Sequence, residues 1–322
     1  MRFVSYQGPS NTPSLGVLAG ERVAALTSLD EFYADVHGWT HKARALPSGA
    51  ASLALEDLVL VPPTLPSAKV ICAAINYREH GEEAHLPPPP HPNLFARWAT
   101  NLVPTGTEIP IPASEPGRDG TAGMDWEVEL AVIMGDDAVD VTRDEAMDSV
   151  LGYTVFNDVS ARRSQLEASE LVTGQWGLGK NADSSGPIGS VIVTADEVDI
   201  AEIELEARIG DEVLQRGSAT AMIFGVPELI EFITKTITLR PGDVIATGTP
   251  AGVGLGRNPR RFLQPGETIT VSLIGICSIS NPMIERHRAA PSGDRSTVTL
   301  PARDDDGNPP RGQVSAGESA RR

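Results

Sequence analysis

The chain has 322 residues, with 26 Lys and Arg against 43 Asp and Glu, a formal charge of −17. That acidity, with no basic cluster along the chain, disfavours nucleic acid and anionic membrane as partners. At 40% hydrophobic residues a sizeable core is available, and no stretch reaches the ~20 apolar residues of a membrane span.

In chain order, the amino-terminal MRFVSYQGPSN lacks the apolar core of a signal peptide, which points to the cytoplasm. RFVSY and GVLAGERVAAL read as short strands, the latter turning at Gly20-Glu21. SLDEFYADVHGW reads as a helix with an N-cap at Ser28 or Asp30 and Leu29, Phe32 and Val36 on one face. LALEDLVLVPP closes this unit at a proline pair, so residues 1–66 are expected to form a small β-rich domain. A second unit, 67–287, follows with longer strands: KVICAAINY, EVELAVIM, SVLGYTVFNDVS, PIGSVIVT, IELEARIGDEVLQ, DVIATGTP and TITVSLIGICSIS. Helices are expected only at REHGEEAH, TRDEAMDSV and VPELIEFITKTI, so the class is a β-rich α+β fold. Residues 288–322, rich in Pro, Gly, Ser and charge, have little to bury and are expected to be disordered. Cys72 and Cys277 lie in apolar contexts and read as buried thiols in a reducing compartment.

The stretch GMDWEVELAVIMG, residues 123–135, poses the chemical question. On a strand Asp125, Glu127 and Glu129 share one face, opposite Trp126, Val128 and Leu130. Unpaired carboxylates that close repel, and burying them is costly. Either the strand is a wet edge or a cation sits on that face; the apolar AVIMG that follows argues against the edge. Asp158, at the end of GYTVFNDVS, is an ordinary turn or N-cap residue, or the third member of an all-carboxylate site. Such oxygen donors suit Mg²⁺, Mn²⁺ or Ca²⁺, and no His or Cys cluster has the spacing zinc prefers.

Three further stretches bear on function. In INYREHGEEAH, His80 and Glu83 share a helix face, as a carboxylate-oriented general base would or as part of a solvated surface helix would. A polar helix followed by four prolines also suggests a mobile lid over residues 78–90. His85 and His91 flank the proline run as loop residues, and His37, His41 and His287 belong to no constellation. In QWGLGKNADSSGPIG, Lys180 is a solvent-exposed Lys or a contact for an anionic substrate. GDVIATGTPAGVGLG lacks the Gly-Lys-Ser/Thr of a phosphate loop, leaving its glycines for tight turns beside a ligand and Thr249 as a hydroxyl donor.

The ordered series NYREH, DWEVELAVIMG, GYTVFNDVSAR, QWGLGK, MIF, LRPGDVIATGTPAGVG and GICSISNPM resembles the fumarylacetoacetate hydrolase family over roughly residues 68–285. The resemblance implies a mixed β-roll, usually a homodimer, with Glu127, Glu129 and Asp158 binding Mg²⁺ or Mn²⁺. It implies His80 and Glu83 as a catalytic dyad under a lid, with Lys180 also catalytic. Arg97, Gln175, Lys180 and Thr249 are implied at the substrate. Arg97 stands where many members have Lys, the NADSSGP loop replaces a bulkier one that borders the substrate side chain, and RSQLEASELVTG is long for the family. The implied reaction is metal-dependent cleavage of a C–C bond in an acylpyruvate or similar 1,3-diketo acid. The alternative is a decarboxylase, isomerase or hydratase of a 2-oxo diacid that uses the same site, the small-molecule oxo acid being the partner in either case.

Overall fold

The strand Val128–Met134 lies inside a ten-stranded mixed sheet, in a computed structural model that describes residues 1–47, 49–167 and 174–286. The tail expected over 288–322 lies outside the described residues. In spatial order the sheet runs Leu53–Ala54, Arg22–Ser28, Pro13–Ala19, Arg2–Gln7, Val191–Thr194, Val150–Asn157, Val128–Met134, Val244–Ala246, Lys69–Ala74 and Asn93–Trp98. Neighbours are antiparallel except Val244–Ala246 and Lys69–Ala74, which run parallel. A five-stranded sheet runs Glu212–Ser218, Glu204–Ile209, Thr268–Leu273, Cys277–Glu285 and Ile109–Ile111.

Alternation along Val128–Met134 builds two cores, because successive side chains leave the strand on opposite faces. Val128, Leu130 and Val132 share one buried cluster with Leu205, Ala207 and Val271 of the smaller sheet. Ala131 and Ile133 face the other way, into a cluster with Phe3, Leu15, Phe32 and Phe156. Every residue of the strand is buried. The boundary expected at residue 66 does not interrupt the sheet: Arg2–Gln7 pairs with Val191–Thr194, so residues from both sides of it share one ladder.

The β-rich α+β class read from the sequence is the class found, with local differences. The helix expected after Ser28 is two helices, Leu29–Ala34 and Val36–Arg44. Ser28 accepts from the Glu31 amide, while Asp35 breaks the run and caps the second helix by accepting from the Gly38 amide at 2.9 Å. TRDEAMDSV forms only a 3₁₀ turn, Ala146–Ser149, since it offers too few apolar residues to anchor a helix. LALEDLVLVPP contributes the two-residue edge Leu53–Ala54, a 3₁₀ turn and a single bridge from Leu60 to Tyr6. Helices do form at Arg78–Glu83 and Val226–Thr234. Both cysteines are free, and among the described residues no helix is long and apolar enough to cross a membrane.

Candidate active site

Two adjacent strand ends create the site. Glu127 immediately precedes Val128–Met134, and Asp158 immediately follows Val150–Asn157. The Asn157 side chain accepts from the Glu127 amide at 3.0 Å, and the Asp158 amide donates to the Glu127 carbonyl at 2.9 Å. Glu129, two residues further in, completes a triad with a ligand oxygen from each residue within 4.8 Å of the others, all three side chains buried. The strand is paired on both sides, by Val150–Asn157 and Val244–Ala246, which removes the wet-edge explanation of its charges.

Cations neutralise the cluster. Arg162 bonds Glu127 Oε1 and, at 2.8 Å, Asp125 Oδ2. Arg97 bonds Asp158 Oδ1 and, at 2.6 Å, the Ser185 hydroxyl. Lys180 Nζ lies 2.6 Å from Glu127 Oε2 and 2.6 Å from Asp158 Oδ2. Burial pushes the Glu127 carboxyl up, but Arg162 and Lys180 overcome it and hold the group below the usual carboxylate range. Glu129 has no such partner: burial, with the charges of Asp158 and Glu127 beside it, raises its pKa well above the ordinary value. Burial lowers the Lys180 pKa, yet the carboxylates of Asp158 and Glu127 raise it further, and the net shift is upward.

Asp125, in phase with the triad had the strand been continuous, plays another part. The strand breaks at Trp126 and Glu127, and Asp125 accepts from the amides of Trp126, Gly254 and Leu255 at 2.9, 2.7 and 3.1 Å. It anchors the 247–256 loop. That loop returns the favour to the site: the Gly248 amide donates to Glu129 Oε2 at 2.9 Å. Gly248 has φ +90°, and a Cβ there would fall 2.8 Å from Asn76 Cβ, so only glycine fits. Thr249 Oγ1 donates to the Val128 carbonyl at 2.8 Å and accepts from Gln215, which also takes the Val128 amide at 3.0 Å.

The helix Arg78–Glu83 places the dyad. Ile75, a β-branched residue at φ +54°, marks a strained turn between the strand Lys69–Ala74 and that helix. Arg78, Glu79 and Glu82 face solvent while His80 is buried. His80 Nδ1 stands 3.4 Å from Glu83 Oε2, and Glu83 accepts from the Gly252 amide at 3.2 Å. A Cβ on Gly256 would lie 2.1 Å from Glu83 Cγ, so the bare glycine makes the berth for that side chain.

His80 and Glu83 share one cavity of about 730 Å³ with Glu127, Glu129, Asp158 and Lys180. Thr249 lines it as well. Arg97 and Gln175 do not: Arg97 is buried behind Asp158, and Gln175 is exposed, with Gln165 and Trp176 taking the wall position instead. The loop after Lys180 also stays off the cavity wall, its Ser185 being turned to Arg97, whereas His85, read as a loop residue, reaches the cavity. Sequence reasoning passed over Arg162 and Gln215. Arg162 sits in the NDVSAR stretch, where a cation four residues after an acid was the available signal; Gln215 left none.

The site fits a divalent ion. Three buried carboxylates within reach of one another form a hard oxygen donor set, and a buried ammonium already sits against two of them, so the pocket accommodates positive charge.

Residues 69–284 match the family described as Fumarylacetoacetate (FAA) hydrolase C-terminal. A mitochondrial oxaloacetate tautomerase of Xenopus laevis is 35% identical over 241 residues, 74% of this chain and 73% of that protein. A 2-hydroxyhepta-2,4-diene-1,7-dioate isomerase of Mycobacterium marinum is 28% identical with a TM-score of 0.68, covering 89% of this chain and all of that one. A maleylpyruvate hydrolase of Sphingobium sp. SYK-6, solved with manganese(II) and pyruvate, is 25% identical with a TM-score of 0.72 over the same shares.

Proposed function

This chain belongs to the fumarylacetoacetate hydrolase family, a family of enzymes, and on that premise we propose that it hydrolyses a C–C bond in an acylpyruvate or similar 1,3-diketo acid. The observation that carries the reading is the His80–Glu83 pair facing the carboxylate triad across one cavity. Glu127, Glu129 and Asp158 would hold Mg²⁺ or Mn²⁺, which supplies a Lewis acid for the oxygens of the diketo head. The manganese(II) and pyruvate of the Sphingobium hydrolase support that assignment.

His80, oriented by Glu83, takes a proton from water, and the resulting hydroxide attacks the carbonyl distal to the carboxylate. The C–C bond then breaks, its electron pair passing to the methylene carbon as an enolate; one product is a carboxylate and the other, once protonated at that carbon, a pyruvate. Lys180 stabilises negative charge on the head group. Phe95, Trp176 and Leu86 give the cavity an apolar wall.

A second reading, isomerisation or tautomerisation of a 2-oxo diacid, draws on the same enolate. Arg260 favours it: this exposed residue at the cavity offers a cation to a second carboxylate. The names of the Xenopus and Mycobacterium relatives are in line with it. Turnover of acetylpyruvate and of 2-oxo diacids, with Mg²⁺ and with EDTA, separates the two. In a hydrolase His80→Ala lowers kcat on the order of 10²- to 10⁴-fold with metal affinity unchanged. Acylpyruvates left intact by the wild type, with diacids turned over, would make the second reading the right one. The resemblance also leads us to infer a cytoplasmic homodimer, whose mass sedimentation would check.

A further inference from the structure

The buried ionic cluster holds four carboxylates, from Asp125, Glu127, Glu129 and Asp158, against three cations, from Arg97, Arg162 and Lys180. Both guanidiniums are committed to one oxygen of each ligand pair: Arg162 to Glu127 Oε1, and Arg97 to Asp158 Oδ1. The oxygens left for a metal are Glu127 Oε2 and Asp158 Oδ2, and Lys180 Nζ sits 2.6 Å from each. We propose that Lys180 is an internal competitor for the metal: its ammonium holds these two carboxylates together in the metal-free protein, and a divalent ion binds only by drawing the same oxygens away from it. The proposal rests on the triad being the metal site.

The physical reason is charge. Glu127 and Asp158 are buried, and carboxylates that close without a cation between them would drive the two strand ends apart. A fixed lysine keeps the site assembled before metal arrives. Its charge then stands beside the incoming dication at short range and in a poorly screened interior, which weakens metal binding. Arg162 and Arg97 exert less of this opposition, since each has a second partner that keeps it in place, Asp125 for the one and Ser185 for the other. Lys180 lines the cavity as Arg162 does, but among the described residues its ammonium has no side-chain partner beyond the two ligand carboxylates, and it lies 5.2 Å from the centre of the Phe95 ring. Once released from the carboxylates it remains at the cavity wall, available to an anionic head group. Metal binding and anion binding are thereby coupled through one side chain.

The experiment is calorimetric titration of Mn²⁺ into wild type, Lys180→Met and Lys180→Gln, each purified with Mn²⁺ and then stripped with EDTA. Both variants should bind Mn²⁺ more tightly by about 5- to 150-fold, the ordinary range of coupling between two sites. Their metal-free forms should melt below wild type, and saturating Mn²⁺ should raise their melting temperatures by more than it raises that of wild type. If Lys180→Met does not fold, Lys180→Gln, which keeps an uncharged donor, decides the matter. Unchanged or weaker Mn²⁺ affinity in the variants, with wild type binding normally, overturns the proposal alone. A folded wild type that binds no Mn²⁺ overturns it together with the metal-site reading.

Discussion

The amino-terminal end of the ten-stranded sheet and its centre solve opposite problems. At one end Arg2–Gln7, Pro13–Ala19 and Arg22–Ser28 bury Phe3, Leu15 and Val23 completely and finish in the two-residue edge Leu53–Ala54, too short to recruit another chain. At the centre, Val128–Met134 and Val150–Asn157 end among seven buried charged groups. On one face of one strand the change takes two residues, from Glu129 to Ala131. Apolar packing stabilises wherever it is placed. Buried charge stabilises only when every partner is present, so its concentration at the centre marks chemistry in place of scaffolding.

Breaking the charged centre has the largest expected effect. Glu129→Gln should abolish divalent-ion binding in calorimetry and reduce turnover to background while leaving the melting temperature near that of wild type. Retained binding would show the triad is not the metal site. The apolar end should respond in the reverse manner: Phe3→Ala should cost about 3–5 kcal/mol of stability in denaturant titration, with kcat per folded molecule unchanged. A fall in kcat there would mean the two regions are not independent.

Gly256→Ala sharpens the contrast inside the active site. Its Cβ would displace Glu83 from the Gly252 amide and from His80, with no strain in the backbone, so kcat should fall roughly 10- to 100-fold at unchanged Mn²⁺ affinity and melting temperature. The smallest effect belongs to a surface charge at the scaffold end. The Thr194 hydroxyl, with the amino-terminal ammonium and Arg44, holds the Asp196 carboxyl below its ordinary pKa. A carboxylate lowered on folding contributes above its unfolded pKa and loses that contribution as pH falls through the folded one. Asp196→Asn should therefore lose under ~1 kcal/mol near neutral pH and match wild type in acid, by thermal melts across pH.

Part of the site was legible in the chain. The alternation Glu127-x-Glu129 leading into AVIM called for a buried strand with a cation near it, and the spacing of His80 and Glu83 put both on one helix face; both placements are found. Periodicity misplaced what depended on breaks in regular structure. Asp125 keeps step with the triad in sequence, yet a two-residue interruption turns it to the backbone of the 247–256 loop. Asp35 likewise ends one helix by capping the next. The NADSSGP loop, read as a substrate wall, instead supplies the Ser185 that holds Arg97.

By itself the sequence determined what local chemistry dictates: the β-rich class, the family, the carboxylates on one strand and the helix that carries His80. The family follows from the ordered motifs, and the rest from side-chain period, which acts over a few residues and needs no partner. The tertiary structure decided the pairings. Arg162 on Asp125 and Glu127, Lys180 between Glu127 and Asp158, Gln215 beneath Thr249 and Gly256 under Glu83 join residues 22 to 173 positions apart. A charge finds its buried partner through the fold's geometry, because the penalty for leaving it unpaired is set by burial, and burial is known only when the chain has closed on itself.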